Sequence, residues 1–176
     1  MSFIESGDAA AARHRRRLSG AVKESLRELS NQLSMLNHHV STQLELKDVD
    51  LDCLELISRR GPLSPSALAR LAGLHPATVT GILDRLQRGG WVVRDRDPDA
   101  ADRRSVTVRA LRGRNAEVFR LYTPMNTLMD QICDRYADDE LKLIADFLRR
   151  TINAGRDATD EMAAAEPARI SRSGAG

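Results

Sequence analysis

Residues 62–111 read PLSPSALARLAGLHPATVTGILDRLQRGGWVVRDRDPDAADRRSVTVRAL. The stretch contains two short helical patterns, a Gly-Gly pair that ends the second of them, and two β-branched runs joined by a turn-rich tip. This order is typical of a winged helix-turn-helix, which places one helix in the major groove of DNA and a β-hairpin beside it. The stretch therefore predicts both the fold of the chain and a nucleic-acid partner.

Residues that start and stop helices define the two short helices. Ser64 is a good N-cap and Pro65 a good first helical residue, and Gly73 ends that helix. Pro76 opens the second helix, which we expect to extend to residue 88. Its apolar face comprises Val79, Ile82, Leu83 and Leu86, and its outer face comprises Ala77, Thr80, Gly81, Asp84 and Arg88, flanked by Thr78 and Arg85. Small residues on the outer face suit a helix that presses into a groove.

Charge is distributed unevenly along the chain. Between residues 59 and 112 there are eleven arginines and five aspartates, a net charge of +6, whereas the whole chain carries only +2. The remaining residues therefore sum to −4. Positive charge on the segment that would face phosphate indicates DNA binding. The alternative is a winged-helix protein-interaction module without direct DNA reading, whose outer face would be acidic or apolar rather than small, polar and basic.

Amphipathic helices flank this stretch on both sides. Apolar residues recur at steps of three and four over residues 18–44, which predicts one long helix, and a second helix should span about residues 48–60. Beyond residue 112 the helical period returns, although Pro124 should kink or split that helix, and Asp138 can cap a last one. The flanking helices have more apolar face than one small domain can cover, so we expect a second copy of the chain to cover them.

The predicted architecture is mainly α with a small β-wing, a winged helix-turn-helix flanked by N- and C-terminal dimerisation helices. We expect a disordered tail at residues 1–14 and an N-terminal dimerisation helix at residues 15–47. The DNA-binding segment should occupy residues 48–111, C-terminal dimerisation helices residues 112–162, and a flexible tail residues 163–176.

Composition excludes several other classes of protein. Aromatic residues are only 3% of the chain, which argues against a module that stacks unpaired bases. No apolar run approaches the roughly 20 residues of a membrane helix, and the N-terminus lacks a secretory pattern. We therefore expect a cytoplasmic, nucleoid-associated protein with no membrane partner. Cys53 and Cys133 fall on apolar helix faces, so we interpret them as small buried hydrophobes rather than as a disulfide or a redox sensor.

Catalytic and metal-binding patterns are missing from the sequence. There is no Gly-rich phosphate loop, nucleophile elbow or recognisable carboxylate pair, so we predict no enzyme and no cofactor. His38 and His39 are adjacent in the first helix and diverge by about 100°, so they cannot both ligate one ion. No Cys-x-x-Cys or His-x-x-x-His pair accompanies them, and we predict no metal.

Residues 18–162 resemble the MarR family of bacterial transcriptional regulators. The most specific match is RDRDP at residues 94–98 followed by DRRS at residues 102–105, which is similar to the family's wing signature. Leu68-Ala69 and Thr78-Val79-Thr80 also fit the two reader helices. The chain departs from the family pattern at Ala110-Leu111, and at His75, which stands where a Ser or Thr cap is usual.

The resemblance implies a homodimer that binds pseudo-palindromic promoter double-stranded DNA, which we expect to act as a repressor released by a small aromatic or phenolic ligand. It also implies that Asp102 pairs with Arg104 and stabilises the wing. One of Arg103 and Arg104 would then enter the narrow, electronegative minor groove.

Candidate contacts follow from the outer face and the helix starts. Hydroxyl and methyl groups near the start of the second helix are suited to reading bases, and arginines farther along are suited to phosphate. The predicted DNA-binding residues are Ser64, Ser66, Pro76, Ala77, Thr78, Thr80, Arg85, Arg88, Arg103 and Arg104. A ligand pocket is predicted near the junction of the dimer helices and the winged-helix segment, and its candidate residues are His38, His39, Tyr122 and Met125.

Overall fold

The structure is a computed structural model that describes the backbone of residues 2–96 and 106–165 and the side chains of residues 9–95, 106–162, 164 and 165. The chain divides into two compact units, Met1–Tyr122 and Thr123–Gly176. The described elements are α1 (Ser2–Gln43), α2 (Asp48–Arg60), α3 (Pro65–Ala72), α4 (Pro76–Arg88), β1 (Val92–Arg96), β2 (Val106–Ala110), α5 (Arg112–Cys133) and α6 (Asp138–Ala165). The predicted order of helices and strands is confirmed.

The core of the first unit lies beneath α4. All four apolar residues predicted on the inner face of this helix, Val79, Ile82, Leu83 and Leu86, are fully buried. They pack with side chains from the end of α1, α2, α3, the residue before β1, the two strands and the first part of α5, namely Val40, Leu51, Cys53, Leu54, Ile57, Leu68, Ala69, Trp91, Val92, Val108 and Val118. Burying one face of α4 this completely leaves the other face directed outward.

The two strands form an antiparallel hairpin whose base is joined to the α2–α3 connection. Val92 lies opposite Ala110, and Arg94 lies opposite Val108. Leu63 extends the sheet by one bridge, because its N–H donates to the carbonyl of Val108 at 3.0 Å and the N–H of Val108 donates back at 2.8 Å. This bridge fixes the base of the wing to the residues that precede α3.

Local capping chemistry sets the turn between α3 and α4. The Ser64 hydroxyl accepts a hydrogen bond from the N–H of Ala67 at 3.2 Å, as an N-cap should. Gly73 adopts the left-handed conformation at φ 64°, which ends α3 at little steric cost. His75 caps α4 through Nδ1, which accepts from the N–H of Ala77 at 3.2 Å. An imidazole therefore takes the place of the usual Ser or Thr hydroxyl.

Two helix boundaries differ from the sequence prediction. Helix α1 begins at Ser2, whereas a disordered tail is expected over residues 1–14. The stretch lacks an apolar period but is rich in alanine, the strongest helix former, so it continues the helix by propensity alone. Helix α5 is not split at Pro124. The proline removes one backbone donor, and the apolar periodicity on both sides of it keeps the residues helical.

The second unit contains the later part of α5 and helix α6. The N–H of Ala137 donates to the Glu140 carboxylate at 2.9 Å, which caps the start of α6. A row of apolar residues along α6 is left exposed in the chain, including Ile144, Phe147, Leu148 and Ile152. None of the described helices is long and apolar enough to span a membrane.

Candidate nucleic-acid interface

The outer face of α4 is exposed at its N-terminal end. Pro76, Ala77, Thr78 and Thr80 are all exposed, whereas the intervening Val79 is fully buried. The Thr80 hydroxyl donates to the carbonyl of Pro76 at 3.1 Å, which leaves its oxygen lone pairs available as acceptors. The residues predicted to read bases therefore share one accessible surface.

The start of α3 carries Ser64 and Ser66, two of the predicted DNA-binding residues. Ser66 is exposed, and its Oγ lies 3.1 Å from that of Ser64. Ser64 is half-buried because it caps the helix. Of the two, Ser66 is the more accessible to a ligand. The N-cap role of Ser64 explains the presence of serine at this position without a contact to DNA.

Arg85 forms an ion pair that its sequence position does not reveal. Its Nε and Nη2 donate to the two carboxylate oxygens of Asp50 in α2 at 2.8 and 2.6 Å. The Asp50 side chain is only 3% exposed, and that of Arg85 is 35% exposed. This hydrogen-bonded pair raises the pKa of the Arg85 guanidinium further. The structure thus places Arg85 in a partly buried ion pair that ties α4 to α2, and its phosphate contact stays a prediction.

Arg88, one turn farther along α4, remains accessible. Its Nε donates to the carbonyl of Asp84 at 3.2 Å, and it has no acidic partner among the described residues. The two arginines that the sequence treats as equivalent are therefore distinct. The charge of Arg85 is balanced by Asp50, whereas that of Arg88 is not balanced by a described acid and is available to a phosphate.

The tip of the wing falls outside the described residues. Asp102, Arg103 and Arg104 all belong to this undescribed stretch, so their predicted pairing and minor-groove contact stay predictions. The base of the wing is held by two ion pairs that sequence reasoning missed. Their partners lie ten and fourteen residues apart, and only the folded register brings them together.

The two ion pairs at the base of the wing connect different elements. Arg94 of β1 donates from Nη2 to the Asp84 carboxylate of α4 at 2.6 Å. Arg109 of β2 donates from Nε to the Asp95 carboxylate of β1 at 2.5 Å. The first pair joins the hairpin to α4, and the second joins the strands to each other. Each pair also balances the charge of one arginine, Arg94 or Arg109, that is included in the net charge of +6 for residues 59–112.

The C-terminal end of α4 is clamped by a residue of α5. Arg114 donates from Nη1 to the carbonyl of Gly89, and its guanidinium carbon lies 4.2 Å from the centre of the buried Trp91 ring. A side chain at Gly89 would approach the Trp91 ring to 2.7 Å, so glycine is needed for this close contact. The C-terminal end of α4 is thereby fixed relative to α5 and Trp91.

Comparison with known proteins agrees with this geometry. The MarR family model matches residues 46–106, which run from the connection before α2 to the start of β2. The chain carries a MarR-family domain. MarR proteins form a family of transcriptional regulators and not of enzymes, in agreement with the interpretation of the sequence.

One relative of this chain is the uncharacterized HTH-type transcriptional regulator YcgE of Bacillus subtilis (strain 168). It is 28% identical over 134 residues, which cover 76% of this chain and 86% of YcgE. The transcriptional regulator Tm0710 from Thermotoga maritima has a similar structure, with a TM-score of 0.56 and 23% identity over 80% of this chain and 98% of Tm0710. A mutant of MepR from S. aureus, solved with a bound oligodeoxyribonucleotide, gives a TM-score of 0.52 at 15% identity, covering 76% of this chain and 96% of MepR. The two structures confirm the predicted fold class.

The four residues predicted to line a ligand pocket have separate surroundings in the structure. His38 lies 3.0 Å from the Asp48 carboxylate, and His39 is exposed. The Tyr122 hydroxyl donates to Asn37 at 2.7 Å, and burial together with the charge of Glu55 raises the pKa of this phenol. Met125 belongs to the second unit. The pocket stays a prediction.

An open cavity of about 450 Å³ lies elsewhere in the first unit and contains none of these four residues. Its walls are mainly apolar and include two carboxylates, and the lining comprises Val49, Asp52, Cys53, Glu55, Leu56, Arg59, Ala72 and Leu74. Burial and the neighbouring charge of Glu55 raise the pKa of Asp52. No group of three potential metal ligands occurs among the described residues.

The two cysteines differ in their surroundings. Cys53 is fully buried, and burial, assisted by the charge of Asp50, raises the pKa of its thiol to about 11. Cys133 is only half-buried, in contrast to its predicted environment. The raised pKa means that folding favours the protonated thiol of Cys53. This contribution to stability is present below pH 9.0 and is lost as the pH rises towards about 11.

We predict that the thiol of Cys53 in the folded protein resists alkylation and peroxide, because thiolate is the reactive form and is scarce at neutral pH. In Cys133→Ser, iodoacetamide should label Cys53 at least about tenfold more slowly than in urea, as followed by mass spectrometry. Cys53→Ala, which retains Cys133, is the matched control and should be labelled in the folded state. Rapid labelling of Cys53 in the folded Cys133→Ser protein at pH 7 would revive the redox-sensor interpretation.

Proposed function

We propose that this chain is a sequence-specific DNA-binding transcriptional regulator that acts as a homodimer on pseudo-palindromic promoter DNA. The observation that carries the proposal is the division of α4 into a fully buried inner face and an exposed outer face of small, polar and basic residues. Such a helix fits a major groove without steric hindrance. The MarR-family domain and the DNA-bound MepR structure support the same assignment.

The finer parts of the proposal rest on different support. Homodimerisation is supported by exposed apolar residues along α1 and α6, which water does not stabilise. Repression, a cytoplasmic, nucleoid-associated location, and release by a small aromatic or phenolic ligand rest on the family resemblance. Within the interface we assign base reading to Ala77, Thr78 and Thr80 and phosphate contact to Ser66 and Arg88.

The first experiment identifies the DNA. Genomic fragments retained by the immobilised protein are sequenced, and the enriched fragment is titrated in electrophoretic shifts at several salt concentrations. We expect a pseudo-palindromic site, and an affinity for it that falls steeply with salt, because phosphate contacts release counterions. Retention of no fragment above background would contradict DNA reading and favour a protein-interaction module.

A second prediction separates phosphate contact from base reading. Arg88→Ala should weaken binding to operator and random DNA alike. It should also reduce the salt slope, which is the slope of log affinity against log salt concentration, by about one unit. Thr78→Val and Thr80→Val retain side-chain volume but lose a hydroxyl. Each should lower the ratio of the affinity for operator to the affinity for random DNA by about tenfold.

The control for Arg88 is Arg150→Ala in α6, which removes an exposed arginine that pairs with Asp146. Its salt slope should match that of the unsubstituted chain. The assignment of the reading face is wrong if the two threonine variants and Arg88→Ala change only overall affinity.

A further inference from the structure

An acidic residue lies on the outer face of α4. Asp84 follows Ala77 by seven residues and Thr80 by four, which places it on the same side of the helix as the predicted base-reading residues. A carboxylate there would repel phosphate. The structure accounts for its presence, because Asp84 accepts a hydrogen bond from Arg94 of β1 at 2.6 Å.

This ion pair joins the two parts of the reading surface. Asp84 is 49% exposed and Arg94 is 30% exposed, so the pair lies at the surface and not in the core. Within the described part of the chain it is the only hydrogen-bonded side-chain contact between α4 and either strand. The pair of Asp95 and Arg109 joins β1 to β2 and cannot set how the hairpin stands relative to α4.

We infer that Asp84 is a positioning residue for DNA recognition. Its bond to Arg94 sets the angle between α4 and the wing, and so keeps the major-groove contacts of the helix in register with the minor-groove contacts of the wing tip. The inference rests on the proposed DNA-binding function. An exposed ion pair adds little to the free energy of unfolding, so the role of this pair is to orient the wing relative to α4.

The opposing expectation is purely electrostatic. Removing a carboxylate from a surface that faces phosphate raises the net positive charge and should tighten binding to all DNA. Loss of the proposed positioning weakens operator binding, because the wing must then be ordered during binding. The two accounts predict changes of opposite sign, so one substitution separates them.

The test compares Asp84→Asn, Arg94→Gln and the double variant with the unsubstituted chain on operator and random DNA. We expect Asp84→Asn to bind the operator about tenfold more weakly and random DNA equally or more tightly. The double variant should be no weaker than Arg94→Gln, because the second substitution removes a bond that is already lost. Hydroxyl-radical protection of the minor groove should decrease, while methylation protection in the major groove should persist.

A measurement without DNA tests the tie between α4 and the wing separately from DNA binding. ¹⁵N relaxation of the free protein should show larger amplitudes for residues 92–96 and 106–110 in Asp84→Asn, with residues 76–88 unchanged. The control is Asp139→Asn, which removes an exposed acid that pairs with Lys142 in α6 and should alter neither the relaxation nor the footprint.

Several outcomes would contradict the positioning role. Tighter operator binding by Asp84→Asn with an intact minor-groove footprint would overturn it and leave the pair as simple charge compensation. Unchanged strand relaxation would also overturn it. If the unsubstituted chain binds no DNA while the relaxation changes as expected, the proposed function fails, but the tie between α4 and the wing stands.

Discussion

Arg85→Ala should lower the free energy of unfolding by about 3 kcal/mol, the largest loss that we expect from one polar residue of this chain. The substitution leaves the Asp50 carboxylate in place, 3% exposed and without its bidentate partner. A buried carboxylate that loses its hydrogen-bonded partner strongly destabilises the fold. Urea unfolding at pH 7 measures the loss, since urea, unlike guanidinium chloride, does not screen ion pairs.

Removing the other partner should cost less. Asp50→Ala leaves Arg85, whose side chain is 35% exposed and long enough to turn its guanidinium towards water, so we expect a loss of about 1–2 kcal/mol. Arg88→Ala on the exposed face of the same helix is the matched control and should change stability by less than about 0.5 kcal/mol. Equal losses for Arg85→Ala and Arg88→Ala would show that the pair with Asp50 does not persist in solution.

The second large effect concerns self-association. Leu148→Glu should raise the dissociation constant of the proposed dimer by more than about 100-fold, because it would replace apolar area by an unpaired carboxylate in the proposed contact. Leu148 is 39% exposed in the chain and lies in a row with Ile144 and Ile152 along α6. Sedimentation equilibrium over nanomolar to micromolar concentrations measures this change directly.

A charge reversal on the opposite side of α6 provides the control for this prediction. Arg150→Glu introduces the same acidic side chain about 160° around the helix from Leu148 and should leave the dimer intact. An unsubstituted chain that is monomeric at micromolar concentration would contradict the proposed homodimer. A dimer should present its two α4 helices to half-sites about one helical turn of DNA, ~34 Å, apart.

The winged-helix fold could be predicted because its signals are local in sequence. Ser64, Gly73 and Pro76 mark helix ends within a few residues of the structure that they determine. The inner face of α4 was equally predictable from its period. His75 is a partial exception, since only the structure shows an imidazole nitrogen in the role of a capping oxygen.

The roles of the charged residues could not be predicted in the same way. Asp50 and Arg85 are separated by 35 residues, and Asp84 and Arg94 meet across a turn. A sum of charges identifies the basic segment, but it cannot tell which arginines are already paired. The start of α1 was missed for a different reason, because alanine-rich residues without an apolar period form a helix by propensity, with no pattern that a periodicity argument detects.

Trp91 is the only tryptophan of the chain, and it is buried between the end of α4 and the wing, beneath Arg114. Its intrinsic fluorescence therefore reports on the winged-helix segment alone, whereas far-ultraviolet circular dichroism is dominated by α1, α5 and α6. If unfolding of the winged-helix segment is coupled to unfolding of the proposed dimerisation helices, the two signals will change together in urea. If the winged-helix segment opens by itself, the emission will shift before helicity is lost.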